Sequence, residues 1–205
     1  MTRQFAGRLV APPGKLEAMT GVIVHRTTAE LEAGLAEIRR SPRDGGRLEL
    51  IVRRPAVEAR EVLDEATLDE TVGLVGDTWS QRPSTRTDDG SPHPRMQLNI
   101  MNARAVALIA VDPKRRQLAG DQLHLDLDLS EDNLPFGSRL AIGTAVIEIT
   151  EQPHRGCAKF AARFGTDALR FVNSEAGRAV NARGVNAGVV AGGVIRAGDV
   201  ATKLT

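Results

Sequence analysis

"LHLDLDL", residues Leu123–Leu129, alternates without a break: Leu123, Leu125, Leu127 and Leu129 take one side of the chain, and His124, Asp126 and Asp128 take the other. A two-residue period of this kind marks a strand with one face on an apolar core. Downstream, "RLAIGTAVIEIT" (Arg139–Thr150) reads as a hairpin bent at Gly143–Thr144, and "GVIRAGDVAT" is a further glycine-punctuated strand. Upstream, "RLELIVRRP" (Arg47–Pro55) is a strand, and "MQLNIM" and "AVALIAV", on either side of Asn102–Arg104, read as two more. Short strands with glycine at the reversals predict a closed or nearly closed antiparallel barrel, which leaves few bare edges. The fold class expected is mainly β with a minor helical part.

Two helical stretches interrupt this pattern. Thr27 and Glu30 form a capping box ahead of Leu31, Leu35 and Ile38, and Pro42 ends a helix expected over Thr28–Arg40. "CAKFAARFGTDALRFVNS" (Cys157–Ser174) places Phe160, Phe164 and Phe171 on one face, with Gly165 ending a first helix and Thr166 able to cap a second. The first residues carry a short strand-like start and a turn at Pro12–Gly14. Residues 56–75 mix acidic and aliphatic positions in a pattern that fits helix or strand. Thr78–Arg95 is a long polar loop, of the kind that is often a functional lid or simply disordered. The expected division is an N-terminal strand and helix portion, residues 1–75, packed on a barrel domain, residues 76–205, in one compact unit.

The chain has 205 residues, 41% of them hydrophobic, which suffices for one core. Aromatic residues make up 3%, with no Tyr and one Trp, so that core must be aliphatic. The net charge of +1 provides no field to draw nucleic acid, and there is no apolar run long enough for a membrane. A cytoplasmic protein without nucleic-acid or membrane partners is expected.

The chemistry converges on "EQPHRGCAKF", which holds the only cysteine, Cys157. His154, Arg155 and Lys159 flank it, and it begins a helix. Positive charge and unpaired backbone N–H groups favour thiolate over thiol, making the sulfur a better nucleophile and a better soft-metal ligand. The plainer alternative is a small buried hydrophobe, and charge context alone leaves both open. Arg155 and Lys159 could hold an anionic phosphate or simply be solvated. Arg183 and Asn186 in "ARGVNAG" could reach a phosphate or merely flank a glycine-rich turn.

The stretch "NLPFGSRLAIGTAVIEITEQPHRGCAKFAARFG" resembles the MOSC family, named for the C-terminal domain of molybdenum-cofactor sulfurases. The resemblance rests on Gly137, Leu140, Ile142, Gly143, Ala145, Glu148, Thr150, Pro153, Cys157 and Lys159, in the family's order of strand, turn, cysteine and helix. "GDQL" (Gly120–Leu123) is similar to the family's Gly-Glu-Asn-Leu stretch, with Gln122 in place of the usual Asn. Asn102 and Arg104 stand where many members carry a His-Gly-Gly-type stretch.

The resemblance implies a MOSC-type, pyruvate-kinase-like β-barrel. It also implies that Cys157 either ligates molybdenum in a pterin cofactor, as in amidoxime-reducing relatives, or carries sulfur as a persulfide. On that basis Cys157 and His154 are the candidate catalytic residues and Cys157 the metal ligand. Arg155, Lys159, Arg183, Asn186, Asn102 and Arg104 are the candidate cofactor contacts. Three functions follow: a molybdenum-dependent reductase of N- or S-oxides, a sulfur carrier or sulfurtransferase, and a non-catalytic barrel binding an anionic ligand or a partner. The reductase would need a flavin reductase and an iron–sulfur protein, because one cysteine and no Gly-x-Gly-x-x-Gly turn leave it without electrons of its own. The carrier would need a cysteine desulfurase, and 205 residues leave no room for the pyridoxal-phosphate domain of full-length sulfurases.

Overall fold

The computed structural model describes residues 23–204. The expected strand-like start and the Pro12–Gly14 turn lie outside them. The strands are β1 (Gly46–Arg53), β2 (Glu61–Leu63), β3 (Glu65–Asp69), β4 (Gly73–Leu74), β5 (Leu98–Asn102), β6 (Leu123–Asp126), β7 (Arg139–Ile142), β8 (Ala145–Ile149), β9 (Val185–Ala191), β10 (Gly193–Arg196) and β11 (Val200–Leu204). The helices are α1 (Thr28–Ala33), α2 (Leu35–Ile38), α3 (Ala103–Ala110), α4 (Ala158–Phe164), α5 (Thr166–Asn173) and α6 (Glu175–Ala179).

Seven strands close into a barrel in the order β1-β6-β5-β9-β8-β7-β11, and the ring shuts where Gly46 and Arg47 of β1 pair with Ala201 and Val200 of β11. Every neighbouring pair is antiparallel except β5 and β6. β2 extends β1 outside the ring, and β10, β3 and β4 form a separate small sheet. The uncommitted stretch 56–75 is therefore strand rather than helix. The barrel also crosses the expected division at residue 75, because β1 is one of its staves.

The parallel pair corrects one sequence reading. Antiparallel neighbours can be joined by a tight turn, whereas parallel neighbours need a crossover, usually a helix. "AVALIAV", expected as a strand, supplies that crossover as α3. Asn102 caps it, its side-chain oxygen accepting from Ala105 N at 2.9 Å. Ala105, Val106, Ile109 and Ala110 then bury one helical face.

The barrel interior is aliphatic: Leu48, Ile51, Leu98, Ile100, Leu123, Leu125, Leu140, Ile142 and Ile147 are all fully buried in one cluster. Leu127 and Leu129 complete the row begun by Leu123. A second cluster lies outside the barrel, where Leu31, Leu35 and Ile38 meet α3 and the three phenylalanines Phe160, Phe164 and Phe171. The Thr27–Glu30 capping box is present. The expected single helix is broken at Gly34, where a Cβ would stand 2.5 Å from the Leu108 side chain. His124 lies beneath this helical layer at 1% exposure, so it is not on a solvent face as the alternation suggested. No described helix is long and apolar enough to cross a membrane.

Candidate functional site

The loop from Gln152 to Cys157 is held at three points. Asn186 Nδ2 donates to Gln152 O at 2.9 Å, His154 Nε2 meets Asp121 Oδ1 at 2.7 Å, and Asn173 exchanges two hydrogen bonds of 3.2 Å with the Gly156 backbone. A Cβ on Gly156 would stand 2.8 Å from both Leu169 and Val172, so this close approach requires glycine. So fixed, the loop delivers Cys157 to the N-cap of α4. There its side chain makes no capping hydrogen bond and is exposed. The buried-hydrophobe alternative is thereby excluded.

Cys157 borders a cavity of about 340 Å³, lined also by Arg54, Arg60, Arg82, Lys159, Arg163 and Arg183. Three carboxylates answer these six cations. Arg54 is buried, donates through Nε and Nη2 to Asp77 at 2.8 Å each, and reaches Asn99 Oδ1 and Gly120 O through Nη1. Arg183 is buried, donates from Nη1 to both oxygens of Asp121 at 2.7 and 2.8 Å, and lies 4.9 Å over the Phe160 ring. Glu58 binds Arg163 at 2.6 Å and lies 3.9 Å from Lys159; it is exposed and sits in the left-handed region at φ 61°. Such a conformation costs a non-glycine residue about 1 kcal/mol or more and is found most often at functional sites.

Positive charge is therefore left over. Burial, then the nearby Arg163 and Arg54, press the Arg60 pKa down; burial and Arg54 do the same to Arg82. Arginine stays charged regardless, so the cavity favours an incoming anion. Two guanidinium donors, Arg60 Nε and Arg183 Nε, are buried without a partner among the described residues.

Of the expected site residues, Cys157, Lys159 and Arg183 share this cavity. The others have different places. His154 does not support the thiolate: its Nε2 is turned to the fully buried Asp121. Burial and Arg183 lower its pKa below the ordinary value, so it is neutral and lends Cys157 no charge. Arg155 lines a second cavity. Asn186 is buried in a relay, accepting from Asn99 Nδ2 at 2.6 Å while holding Gln152, and so positions the loop without lining the cavity. Asn102 caps α3 and donates to Ser41 Oγ and Leu127 O. Arg104 is bound to Asp126 and Glu37. Neither Asn102 nor Arg104 lines either cavity, because both have their donors occupied in holding α3 and α2 against the barrel.

Sequence reasoning missed Arg54, Arg60, Arg82, Arg163, Asp77 and Asp121. The doublet Arg53–Arg54 at the end of a strand was the one available signal, since the second arginine could not also face solvent on the same side. Trp79, the single tryptophan, sits beside this cluster, its backbone N–H donating to Asp77 Oδ1 at 2.9 Å.

Fold and site define a small closed β-barrel that presents one thiol beside an arginine-rich cavity. The MOSC domain family matches residues 98–202, half of the chain, and the chain belongs to that family. Among solved structures it is similar to the YuaD protein of Bacillus subtilis, at 17% identity and a TM-score of 0.57 over 77% of this chain and 94% of that one. It is also similar to YiiM of Escherichia coli, at 20% identity and a TM-score of 0.51 over 78% of this chain and 70% of that one. A protein described only as hypothetical gives 21% identity and a TM-score of 0.53. These likenesses establish the fold. No curated protein gives a match.

Proposed function

We propose that Cys157 ligates the metal of a molybdenum-pterin cofactor, and that the protein is a reductase of N- or S-oxygenated compounds. The supporting observation is an exposed thiol on the rim of a cavity where six cations face three carboxylates. The residues present fit such a group. A thiolate is a soft metal ligand, and a cofactor phosphate would satisfy the unpartnered Arg60 Nε. Among the described residues there is no cluster of three or more His, Cys, Asp or Glu side chains, so Cys157 acts as a lone protein ligand to a metal held mainly by its cofactor.

When bound, the molybdenum would supply the two-electron change that removes oxygen from the substrate. The chain's own residues bind and orient. Arg60, Arg163 and Lys159 would hold the anionic end, in place of the ion pairs that Arg163 and Lys159 make with Glu58. Arg54 and Arg183, tied to Asp77 and Asp121, keep the wall rigid. With one cysteine, the chain takes its electrons from a flavin reductase and an iron–sulfur protein.

The exposure of Cys157 also favours a second reading, a sulfur carrier whose persulfide is loaded by a cysteine desulfurase. Metal analysis after expression in a cofactor-competent host separates the two. Molybdenum retained by the native chain and lost in Cys157→Ser supports the reductase. Metal-free protein with one cyanide-releasable sulfur on Cys157 overturns it in favour of the carrier.

A further inference from the structure

A second cavity, of about 230 Å³, lies on the other side of Arg183 from Cys157. Arg183 is the one residue the two cavities share. The wall of this second space holds His154, and the chemistry there follows from Asp121. Burial alone would raise the Asp121 carboxyl, but Arg183, then His154, more than offset it and hold the group well below the usual carboxylate range. An ionised carboxylate only accepts. The proton between the two residues therefore sits on His154 Nε2, and in a neutral imidazole Nδ1 then carries the lone pair. Nδ1 makes no hydrogen bond among the described residues, and the ring lines the second cavity. The ring thus offers the second cavity a fixed acceptor.

Two cations accompany it. Arg155 and Arg178 line the same space and have no carboxylate partner among the described residues. Of the acidic residues in the wall, Glu151 is paired with Arg95, which leaves Glu131 alone against the two arginines. An acceptor that wants an O–H and two guanidiniums that want an oxyanion define one ligand chemistry.

We propose that this cavity is a second ligand site, separate from the thiol cavity, for a small oxyanion that carries a hydroxyl: hydrogen phosphate or a hydroxy acid. Its O–H donates to His154 Nδ1 while Arg155 and Arg178 hold its charge. This goes beyond the cofactor reading and does not rest on it.

Nitrogen-15 spectra of the histidine rings in the full chain, titrated with inorganic phosphate, test the proposal. The free protein should show His154 as the Nε2–H tautomer, and phosphate should shift Nδ1 saturably. Acetate, which has the charge without the O–H, should act about tenfold more weakly, as should phosphate on Arg155→Ala/Arg178→Ala. Those two side chains make no hydrogen bonds among the described residues and are exposed, so the variant should keep the fold. Arg60→Ala/Arg163→Ala, which strips cations from the thiol cavity, should leave the His154 response unchanged whether or not molybdenum binds there. An Nδ1–H tautomer, a His154 signal indifferent to millimolar phosphate, or a response abolished by the Arg60 and Arg163 changes would each overturn the proposal.

Discussion

The barrel's interior is built from its strands and most of its buried charges from the segments that flank them, and the two are stable for opposite reasons. Inside, Leu48, Ile51, Leu98, Ile100, Leu123 and Leu125 bury only hydrocarbon. Each contributes in proportion to the area it removes from water, and no single neighbour is indispensable. At the end facing α4, the buried side chains are Arg54, Asp77, Asp121, His124, Arg183 and Asn186. There burial is unfavourable by itself, and ion pairs and relays offset much of it. Arg54 is held by Asp77, Asp121 by Arg183 and His154, and Asn186 by Asn99 and Gln152. Arg183 Nε and both ring nitrogens of His124 have no partner among the described residues. The interior tolerates loss by degrees, whereas the buried ion pairs of the charged end fail when one partner is removed.

The sharpest way to break this contrast is Arg54→Ala. It leaves Asp77 buried without its double hydrogen bond, and the expected loss is about 3–5 kcal/mol in urea unfolding. Arg54→Ala/Asp77→Ala should lose less than the single change, because the stranded charge is gone. A double variant no better than the single would mean that the end relaxes as the interior does. Leu123→Ala, deep in the barrel, should cost about 3 kcal/mol through lost burial and a cavity, with cooperativity kept.

His124 gives the pH dependence. Burial, reinforced by Arg116 and Arg183 against an opposing Asp121, lowers its pKa from 6.5 to about 4. Between those values the unfolded chain takes up a proton and the folded chain does not. Stability is therefore full above about pH 6.5, falls as the pH drops, and levels off near 4, with a loss on the order of 3 kcal/mol. His124→Met should reduce that slope, the remainder belonging to His154, whose pKa burial also lowers, and an unchanged slope in this variant would assign the acid sensitivity elsewhere. The smallest effect belongs to Cys157→Ser: its thiol is exposed and makes no hydrogen bond, so the midpoint should move by no more than about 0.5 kcal/mol. A larger change would mean that the thiol belongs to the core after all.

The same contrast governs what could be read from the sequence. Interior positions repeat with the period of the backbone, so Leu123–Leu129 and the Arg139–Thr150 hairpin announce their faces locally. Phe160 and Phe164 likewise declare the buried side of α4, and Phe171 that of α5. The misreadings came where locality fails. "AVALIAV" suits a strand by composition and becomes α3 because β5 and β6 run parallel, a fact of topology. Cys157 was legible because its flanking residues are next to it in the chain. The cavity around it was not, since Arg54 meets Asp77 and Gly120, and Asp121 meets His154 and Arg183, across gaps that carry no pattern. His154 and Cys157, three residues apart in sequence, line different cavities, which proximity in the chain could not reveal.

Trp79 turns the charged end into its own optical reporter. With no tyrosine in the chain, near-ultraviolet emission comes from this indole alone. Its backbone is tied to the carboxylate that holds Arg54, and Arg54 lines the thiol cavity. An anion that draws on Arg54 should therefore change the emission of a single tryptophan, and titrating unlabelled protein with phosphate would read occupancy of the cavity directly.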